Sequence, residues 1–190
     1  MSDKAVKKKQ YILETARGVF AKKGFKNVTM KDIVEACDIS RGGLYIYFDS
    51  TESILLACLD LEAKKDFDFS EYSASDALAL FLNEQKKAIL NYEDDLSVAI
   101  YEYLFLKKAE GNTETSLKTE FEKNVDIVTH LLQEGVDDDE FYCEDCSLAA
   151  KNIMYTIEGL KLTSRTFGIA EKEIDMELLY ILSGLIVEEE

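Results

Sequence analysis

The segment 29–48 predicts two short helices joined by a tight turn, and this pattern limits the fold more than any other part of the chain. Thr29 and Asp32 have the spacing of a capping box, in which each side chain bonds a backbone N–H left free at the helix start. Ser40 is the predicted N-cap of the second helix. Asp38 lies in the turn, where a left-handed backbone is needed and aspartate tolerates it better than most residues.

The second of these helices has too few apolar residues for packing alone to explain it. Gly42 and Gly43 each cost about 1 kcal/mol relative to alanine in a helix, and close approach of the backbone to a bulky partner would offset that cost. Arg41 before the glycines and Tyr45 and Tyr47 after them suit the major groove of DNA. The segment therefore predicts a DNA-reading helix, and the alternative is an ordinary helical hairpin with a surface arginine.

Residues 10–55 resemble the DNA-binding domain of the tetracycline-repressor (TetR) family of bacterial transcription regulators. The matching stretches are Ile12–Ala16, Phe20–Phe25, Thr29–Ile33 and Ser40–Phe48, followed by Ser50–Leu55 at the start of the family's fourth helix. About a quarter of the chain is covered, with continuous spacing. The resemblance implies a helix-turn-helix that binds DNA.

The resemblance also implies which residues contact DNA. Thr29 and Lys31 should contact phosphate, Arg41 should contact a guanine edge, and Tyr47 should bond a phosphate. Thr51 departs from the family pattern, which has lysine there, so this phosphate contact is weakened or made by a hydroxyl. The full predicted set is Thr29, Lys31, Ser40, Arg41, Gly42, Gly43, Tyr45 and Tyr47.

The charge of the chain is divided unevenly between its two ends. The net charge is −16, yet residues 1–48 hold ten Lys and Arg against five Asp and Glu, a net of +5, which leaves −21 for the remainder. A basic end can face phosphates while an acidic body repels DNA and orients the approach. Solubility alone would explain the acidic body but not the basic end.

Composition and periodicity predict an all-α protein of about nine helices. The chain has no proline, nine glycines and 47% hydrophobic residues, and apolar residues recur at helical spacing. We divide it into a three-helix helix-turn-helix domain, 1–48, and a helical domain, 49–190, to which the resemblance assigns effector binding and dimerisation. Beyond residue 48 the helices are predicted at about 51–65, 76–92, 94–109, 114–135, 145–167 and 172–187, and Ser75 or Asp76 is the expected N-cap of the second of these. The acidic run 136–141 is a predicted loop.

The first helix is predicted at about residues 4–23. Its apolar residues Ile12, Ala16, Val19 and Phe20 recur at helical spacing and should be buried. Gly24 is the predicted left-handed residue that ends this helix.

Neither a membrane span nor a cofactor is predicted. No run of 18 uncharged apolar residues occurs and no apolar segment follows the N-terminal lysines, so we expect a cytoplasmic protein. Cys143 and Cys146 have the spacing of half a metal site, but the other half is missing, and inert cysteines are the preferred interpretation. We expect no metal and no catalytic residues, since no nucleophile–base pair or glycine-rich phosphate loop is evident.

The last predicted helix is apolar round much of its circumference, which favours a homodimer. A terminal helix of a small domain rarely buries so much surface within its own chain. In the TetR family the last two helices pair with their copies, and the alternative is an ordinary core helix. The apolar residues are Ile174, Met176, Leu178, Leu179, Ile181, Leu182, Leu185 and Ile186.

The family resemblance implies a small-molecule effector among the middle helices of the C-terminal domain. The segment 98–106 is apolar except for Glu102; a helix apolar on every face is buried, and an unpaired carboxylate there is costly. Glu158 is a second such carboxylate, so the site would suit a cationic, lipophilic ligand. Alternatively, both carboxylates pair with lysines such as Lys86, Lys151 or Lys161, or reach solvent. The predicted lining is Tyr101, Glu102, Phe105, Met154, Tyr155 and Glu158.

These observations predict a ligand-responsive repressor that binds a palindromic double-stranded DNA operator as a homodimer and is released by its effector. Two other hypotheses remain at this stage. One is an all-helical enzyme with a DNA-like hairpin at its N-terminus. The other is a ligand-independent regulator, or an interaction module, whose C-terminal half serves only to dimerise.

Overall fold

The computed structural model describes residues 3–62, 69–91, 95–112 and 116–185, and these contain nine α-helices and no strand. The all-α fold class with an N-terminal helix-turn-helix is confirmed. None of the described helices has the length and apolarity needed to cross a membrane. The helices are α1 Asp3–Lys23, α2 Met30–Cys37, α3 Arg41–Tyr45, α4 Thr51–Glu62, α5 Ala74–Leu90, α6 Ser97–Ala109, α7 Ser116–Asp137, α8 Cys146–Thr166 and α9 Glu171–Ser183.

The helices divide between two compact units, and the division differs from the predicted domain boundary at residue 48. The first unit comprises residues 1–66 and 93–113, and therefore α1 to α4 together with α6. The second comprises residues 67–92 and 114–190, and therefore α5, α7, α8 and α9. Helices α4 and α6 join the first unit because both pack against α1.

Helix α1 is the centre of the first unit. Ile12, Ala16 and Phe20 repeat at helical spacing and are fully buried, as are Ile33 of α2 and Leu44 of α3. Val19, predicted to be buried with them, is only half-buried. Burial of one such large apolar side chain contributes about 1.5–3 kcal/mol, and α2 packs directly against α1, so α2 depends on α1 for much of its stability.

The turn after α1 is held by α6. Gly24 has φ +71° and donates its N–H to the carbonyl of Phe20 at 2.8 Å, which ends the helix with the left-handed residue that the sequence predicts. The backbone N–H of Lys26 donates to Glu102 Oε2 at 2.9 Å. The ring of Phe25 meets that of Tyr103 edge-on, with centroids 5.3 Å apart.

A second set of contacts connects α6 to α4. Glu52 accepts hydrogen bonds from the hydroxyl of Tyr103 at 3.0 Å and from Lys107 Nζ at 2.9 Å. The bond from Lys107 is the largest cause that holds the pKa of Glu52 below its usual value, and burial opposes it. Helix α6 is thus fixed to the first unit through both of its neighbours.

The second unit has its own core, built from α5, α7, α8 and α9. Phe81, Leu132, Met154 and Ile157 are among its fully buried members. Arg165, near the end of α8, donates to the carbonyls of Ile89 at 2.7 Å and Ala88 at 2.8 Å, so it binds the backbone at the end of α5.

Two local predictions for α5 and α7 need correction. The N-cap of α5 is Ser73, whose Oγ accepts the N–H of Asp76 at 3.2 Å, so the helix begins two residues earlier than predicted. Several serines in sequence offered the same cap, and pattern alone could not choose among them. Helix α7 extends to Asp137, so only part of the acidic run that follows is loop.

Gly24 and Gly18 give a matched test of the α1–α6 contact. A Cβ at Gly24 would lie 2.6 Å from Glu102 Oε2 on a left-handed backbone, whereas a Cβ at Gly18, within α1, would meet nothing within 4 Å. We expect Gly24→Ala to lower the free energy of unfolding by about 1–3 kcal/mol. Gly18→Ala should raise it by about 0.5–1 kcal/mol. Urea unfolding of both variants checks this, and equal effects would contradict it.

Candidate nucleic-acid interface

Helix α2 begins with the capping box that the sequence predicts. The backbone N–H of Thr29 donates to Asp32 Oδ2 at 2.8 Å, and the backbone N–H of Asp32 donates to Thr29 Oγ1 at 3.3 Å. The helix ends at Asp38, which has φ 49° and ψ 50°, the left-handed conformation expected of the turn. Both ends of α2 are therefore fixed by local chemistry.

An ion pair joins the start of α2 to the end of α1. Lys23 Nζ lies 2.5 Å from Asp32 Oδ1. This hydrogen bond is the main cause that holds the pKa of Asp32 far below its usual value, and the bonds from Thr29 add to it. Asp32 is therefore ionised at neutral pH, and it is held between two helices.

Helix α3 has only five residues, and two contacts hold it in place. Ser40 Oγ accepts the N–H of Gly43 at 3.1 Å, as the predicted N-cap requires. Leu44 is fully buried and is the one residue of α3 that reaches the core. The rest of the helix faces outward.

The outward face of α3 carries side chains suited to base edges. Arg41 is exposed, and its guanidinium carbon lies 5.6 Å from the centre of the Tyr45 ring, which is 44% exposed. Ile46, directly after the helix, is 78% exposed. The exposure of Ile46 was not predicted, because an isoleucine that lies between two tyrosines and two residues after a buried leucine has the pattern of a core residue.

The two glycines of α3 have different explanations. A Cβ at Gly43 would lie 3.1 Å from Ser40 Oγ, so the N-cap itself leaves little room there. A Cβ at Gly42 would meet nothing within 4 Å. No packing within the chain requires glycine at position 42, and its cost in helix propensity is not offset by any contact of the described residues.

The remaining predicted contacts lie around α3 on the same unit. Lys31 is exposed, with its ammonium 3.6 Å from Glu35, and Thr29 is exposed at its cap. Thr51 is the first residue of α4 and is half-buried. Tyr47 is half-buried in the wall of a groove that it forms with residues of the first turns of α1. The lysines among them were predicted only to contribute net charge. The groove is lined by Lys4, Ala5, Lys7, Lys8, Tyr11 and Tyr47.

Comparison with known proteins assigns both parts of this architecture. Residues 12–58 match the family model described as bacterial regulatory proteins, tetR family, and residues 77–175 match the model of a tetracyclin repressor-like C-terminal domain. The chain belongs to the TetR family. Members of this family are DNA-binding transcription regulators and not enzymes, which removes the hypothesis of a helical enzyme.

Individual relatives agree with this assignment. The chain is 34% identical over 140 residues to the HTH-type transcriptional regulator YfiR of Bacillus subtilis, a match that covers 71% of this chain and 68% of YfiR. A transcriptional regulator from Saccharomonospora viridis, solved in complex with choline, has a TM-score of 0.80 at 20% identity and covers 95% of this chain and 98% of its own. AibR, solved with isovaleryl coenzyme A and operator DNA, has a TM-score of 0.67 at 15% identity, and the match covers 94% of this chain and 100% of AibR. Both structures are similar to this chain in fold.

Three of the residues predicted to bind an effector lie on α6 of this TetR-family chain, and the premise behind them was wrong. Glu102 is not an unpaired carboxylate, because it accepts the N–H of Lys26. Helix α6 is not buried on every face, since Phe105 is 68% exposed and Val98 is exposed as well. Only the face with Ala99 and Tyr103 is buried, and Tyr101 is half-buried.

The other three predicted effector residues lie on α8 in the second unit. Met154 is part of the core, and Tyr155 is 61% exposed and stacks on Phe121 with centroids 5.8 Å apart. Glu158 pairs with Lys161 at 3.0 Å, as the alternative interpretation proposed. A role for these six residues in effector binding stays a prediction. The two carboxylates on which it was based, Glu102 and Glu158, both have partners.

The cysteines of the regulator are free thiols. Cys37, Cys58 and Cys146 are buried and Cys143 is half-buried. Burial is the main cause that raises the pKa of Cys143 to about 11, with the hydrogen bond to Cys146 next, and burial also raises that of Cys37. Thiols with raised pKa are protonated at neutral pH and are therefore weak nucleophiles.

The lowered pKa of Asp32 predicts how the helix-turn-helix responds to acid. A carboxyl whose pKa is lower in the folded chain stabilises it above the pKa of the unfolded chain, and this stability is lost as the pH falls towards the folded value. Asp32→Asn should therefore lower the melting temperature at neutral pH, and the difference from wild type should shrink as the pH falls below about 4.

Glu35→Gln is the control for this experiment, because Glu35 lies on the same helix and is exposed. Its substitution should change the melting temperature little at any pH, as expected for an exposed pair. A constant difference between wild type and Asp32→Asn down to about pH 2 would show that Asp32 does not act through its charge.

Proposed function

We propose that this protein represses transcription by binding a palindromic operator as a homodimer, with α3 in the major groove, and that a small molecule releases it. The observation that carries the proposal is the outward face of α3. A five-residue helix with two glycines presents Arg41 and Tyr45 to solvent, and Ile46 directly after it is exposed as well, while Leu44 alone holds the helix to the core. The N-cap accounts for Gly43, and no contact of the described residues accounts for Gly42 or for the exposed side chains.

The exposed side chains of α3 suit direct reading of base pairs. A guanidinium can bond both acceptors of a guanine edge, and an apolar side chain can contact a thymine methyl group. We assign the first role to Arg41 and the second to Ile46, with Tyr45 beside them. Ser40 and Gly43 shape the helix start, and Gly42 leaves room for the DNA backbone or bases to approach.

The residues around α3 suit the phosphate backbone. Lys31, on α2, and Tyr47, two residues after α3, both carry donors. Thr29 has its hydroxyl at the N-terminus of α2, where anions are favoured. Such contacts fix the register of the protein on DNA and carry no sequence information. Because its DNA partner lies in the cytoplasm of bacteria, we propose that the regulator acts there.

Exposed apolar stripes on α8 and α9 support the proposed homodimer. Leu148, Tyr155 and Leu162 follow one another at intervals of seven residues on one face of α8, and all three are exposed. On α9 Leu179 is 64% and Tyr180 78% exposed. Ile174, Leu178 and Leu185 instead fill the core of their own unit, and Ile186 lies outside the described residues.

These stripes have the character of an interface between copies. Large apolar side chains aligned on a helix surface mark contact sites in most soluble proteins. A two-fold axis through such a contact would present two copies of α3, and a dimer of this kind requires an operator with (pseudo)palindromic half-sites. Because a dimer reads two half-sites, two short recognition helices together can specify an operator that one could not.

The effector we propose is a small molecule bound by the C-terminal helices, and its charge is left open by the geometry. Glu102 and Glu158 both have partners, so the reason for a cationic ligand no longer stands. The two solved relatives were obtained with choline, a cation, and with isovaleryl coenzyme A, an anion. The fold therefore accommodates ligands of either charge.

Arg41 and Lys31 provide a paired test of the DNA-reading role. Arg41→Ala should weaken binding to the preferred duplex by about 1–3 kcal/mol and relax specificity at one position per half-site. Lys31→Ala should weaken binding to all sequences alike and reduce the salt slope by about one unit. Fluorescence anisotropy on the preferred duplex and its single-base variants measures both. A uniform loss for both variants would make Arg41 a phosphate contact only.

The proposed dimer is tested by a charge on its apolar face. Leu179→Glu would bury two carboxylates at a two-fold interface, at a cost of several kcal/mol per ion, so we expect a monomer by light scattering and operator binding weakened about tenfold or more. Leu80→Glu adds the same charge at an exposed leucine of α5 and should leave the dimer intact. If Leu179→Glu remains dimeric while folded, as judged by circular dichroism, the interface lies elsewhere.

A further inference from the structure

A basic groove lies on the same unit as the reading helix. Its lining comprises Lys4, Ala5, Lys7 and Lys8 from the first turns of α1, Tyr11 from the next turn, and Tyr47. The lysines and Tyr11 follow at intervals of three and four residues, which places them on one face of the helix. None of the six is acidic, and the three lysines bring three positive charges into one groove.

The tyrosines of the groove connect it to the helix-turn-helix. The hydroxyl of Tyr11 donates to the carbonyl of Cys37, at the end of α2, at 3.3 Å. Tyr47 is two residues beyond α3. The ammonium group of Lys8 lies 5.0 Å from the centre of the Tyr11 ring. The groove is therefore connected to the surface that carries the reading helix, and one of its charges, that of Lys8, lies over a tyrosine ring.

Lysines gathered on one helix face repel one another, which destabilises the helix unless an anion lies between them. Each lysine supplies a compact charge with no planar fork, which suits backbone phosphate better than a base edge. Asp3, the nearest acidic residue in sequence, can offset at most one of these three charges, and Glu14 accepts from Gln10 at 3.0 Å. Charge and position together indicate a polyanion that extends past α3.

We propose that the first turns of α1 bind backbone phosphates that flank the base pairs read by α3, through Lys4, Lys7 and Lys8. This inference rests on the proposed function, since it assigns a second contact to the same DNA. The contact is independent of sequence and lengthens the duplex that each protomer covers. It also supplies positive charge that α4 lacks, because Thr51 stands at the start of that helix in place of the lysine that the family resemblance implies.

The salt dependence of binding follows from this geometry. Each phosphate neutralised by a lysine releases condensed counterions, and the slope of log affinity against log salt changes by about 0.9 per phosphate. Three lysines should therefore account for between about one and three units of slope per protomer. Base preference should not change, because phosphate contacts carry no sequence information.

The experiment compares two triple variants on two lengths of duplex. Lys4→Ala, Lys7→Ala and Lys8→Ala together empty the groove of charge. Lys87→Ala, Lys108→Ala and Lys118→Ala together remove the same net charge from exposed sites on α5, α6 and α7. Each is titrated on the preferred operator, once with about ten extra base pairs on either side and once trimmed to the half-sites. Circular dichroism confirms that both variants fold.

On the long duplex the groove variant should bind about ten- to a hundredfold more weakly than wild type, with a smaller salt slope and unchanged base preference. The control variant should differ from wild type by no more than about twofold. Trimming the flanks should weaken wild type to the level of the groove variant and should weaken the groove variant no further.

Three results would overturn the inference. Equal affinity of wild type and groove variant on the long duplex would remove the contact and leave the proposed function intact. A loss that does not depend on flank length would place the lysines away from flanking phosphates. Release of wild type, but not of the groove variant, by a nucleoside triphosphate on trimmed DNA would assign the groove to a free phosphorylated ligand. Failure of wild type to prefer any duplex would instead contradict the proposed function itself.

Discussion

The buried side chain of Leu44 is the contact on which the DNA-binding surface depends. An isolated helix of five residues has almost no stability in water, because nucleation is unfavourable and few bonds follow it. Leu44 fixes α3 to the core, Ser40 satisfies its first turn, and Asp38 sets the direction from which the chain enters. With these constraints met, Arg41, Gly42 and Tyr45 remain exposed on α3 and are available for recognition.

Helix α6 is, in its contacts, part of the same unit as α3. It is tied to the turn after α1 through Glu102 and Lys26, and to α4 through Glu52 with Tyr103 and Lys107. Lys107 also lies 3.1 Å from Glu110, at the end of its own helix. A displacement of α6 therefore has to break charged or backbone hydrogen bonds to α4 and to the turn after α1.

The parts of the fold that could be predicted from sequence are those fixed by short-range chemistry. Thr29 with Asp32, Asp38 and Gly24 each impose a local backbone geometry, and the structure has all of them as predicted. The choice of Ser73 as the cap of α5 could not be predicted, because neighbouring serines offer the same hydroxyl. Local patterns specify that a helix begins and leave its first residue undetermined within a few positions.

Long-range contacts were the main source of error. Glu102 looked like an unpaired carboxylate because its partner, the backbone N–H of Lys26, is 76 residues away and leaves no trace in sequence. The exposure of Ile46 and Phe105 was missed for a related reason, since hydropathy indicates burial but not which face has a neighbour. The lysines of α1 were counted as net charge, and only the folded helix places them beside Tyr47.

Selection of bound sequences from a pool of random duplexes, with the purified wild-type protein, tests whether two copies of α3 read DNA. The account predicts enrichment of one inverted repeat whose half-sites lie about one helical turn apart or a multiple of it. The enriched half-site should contain a guanine, for Arg41, and a thymine within reach of Ile46. Enrichment of a single unrepeated half-site, or no enrichment at physiological salt, where non-specific binding is weak, would contradict it.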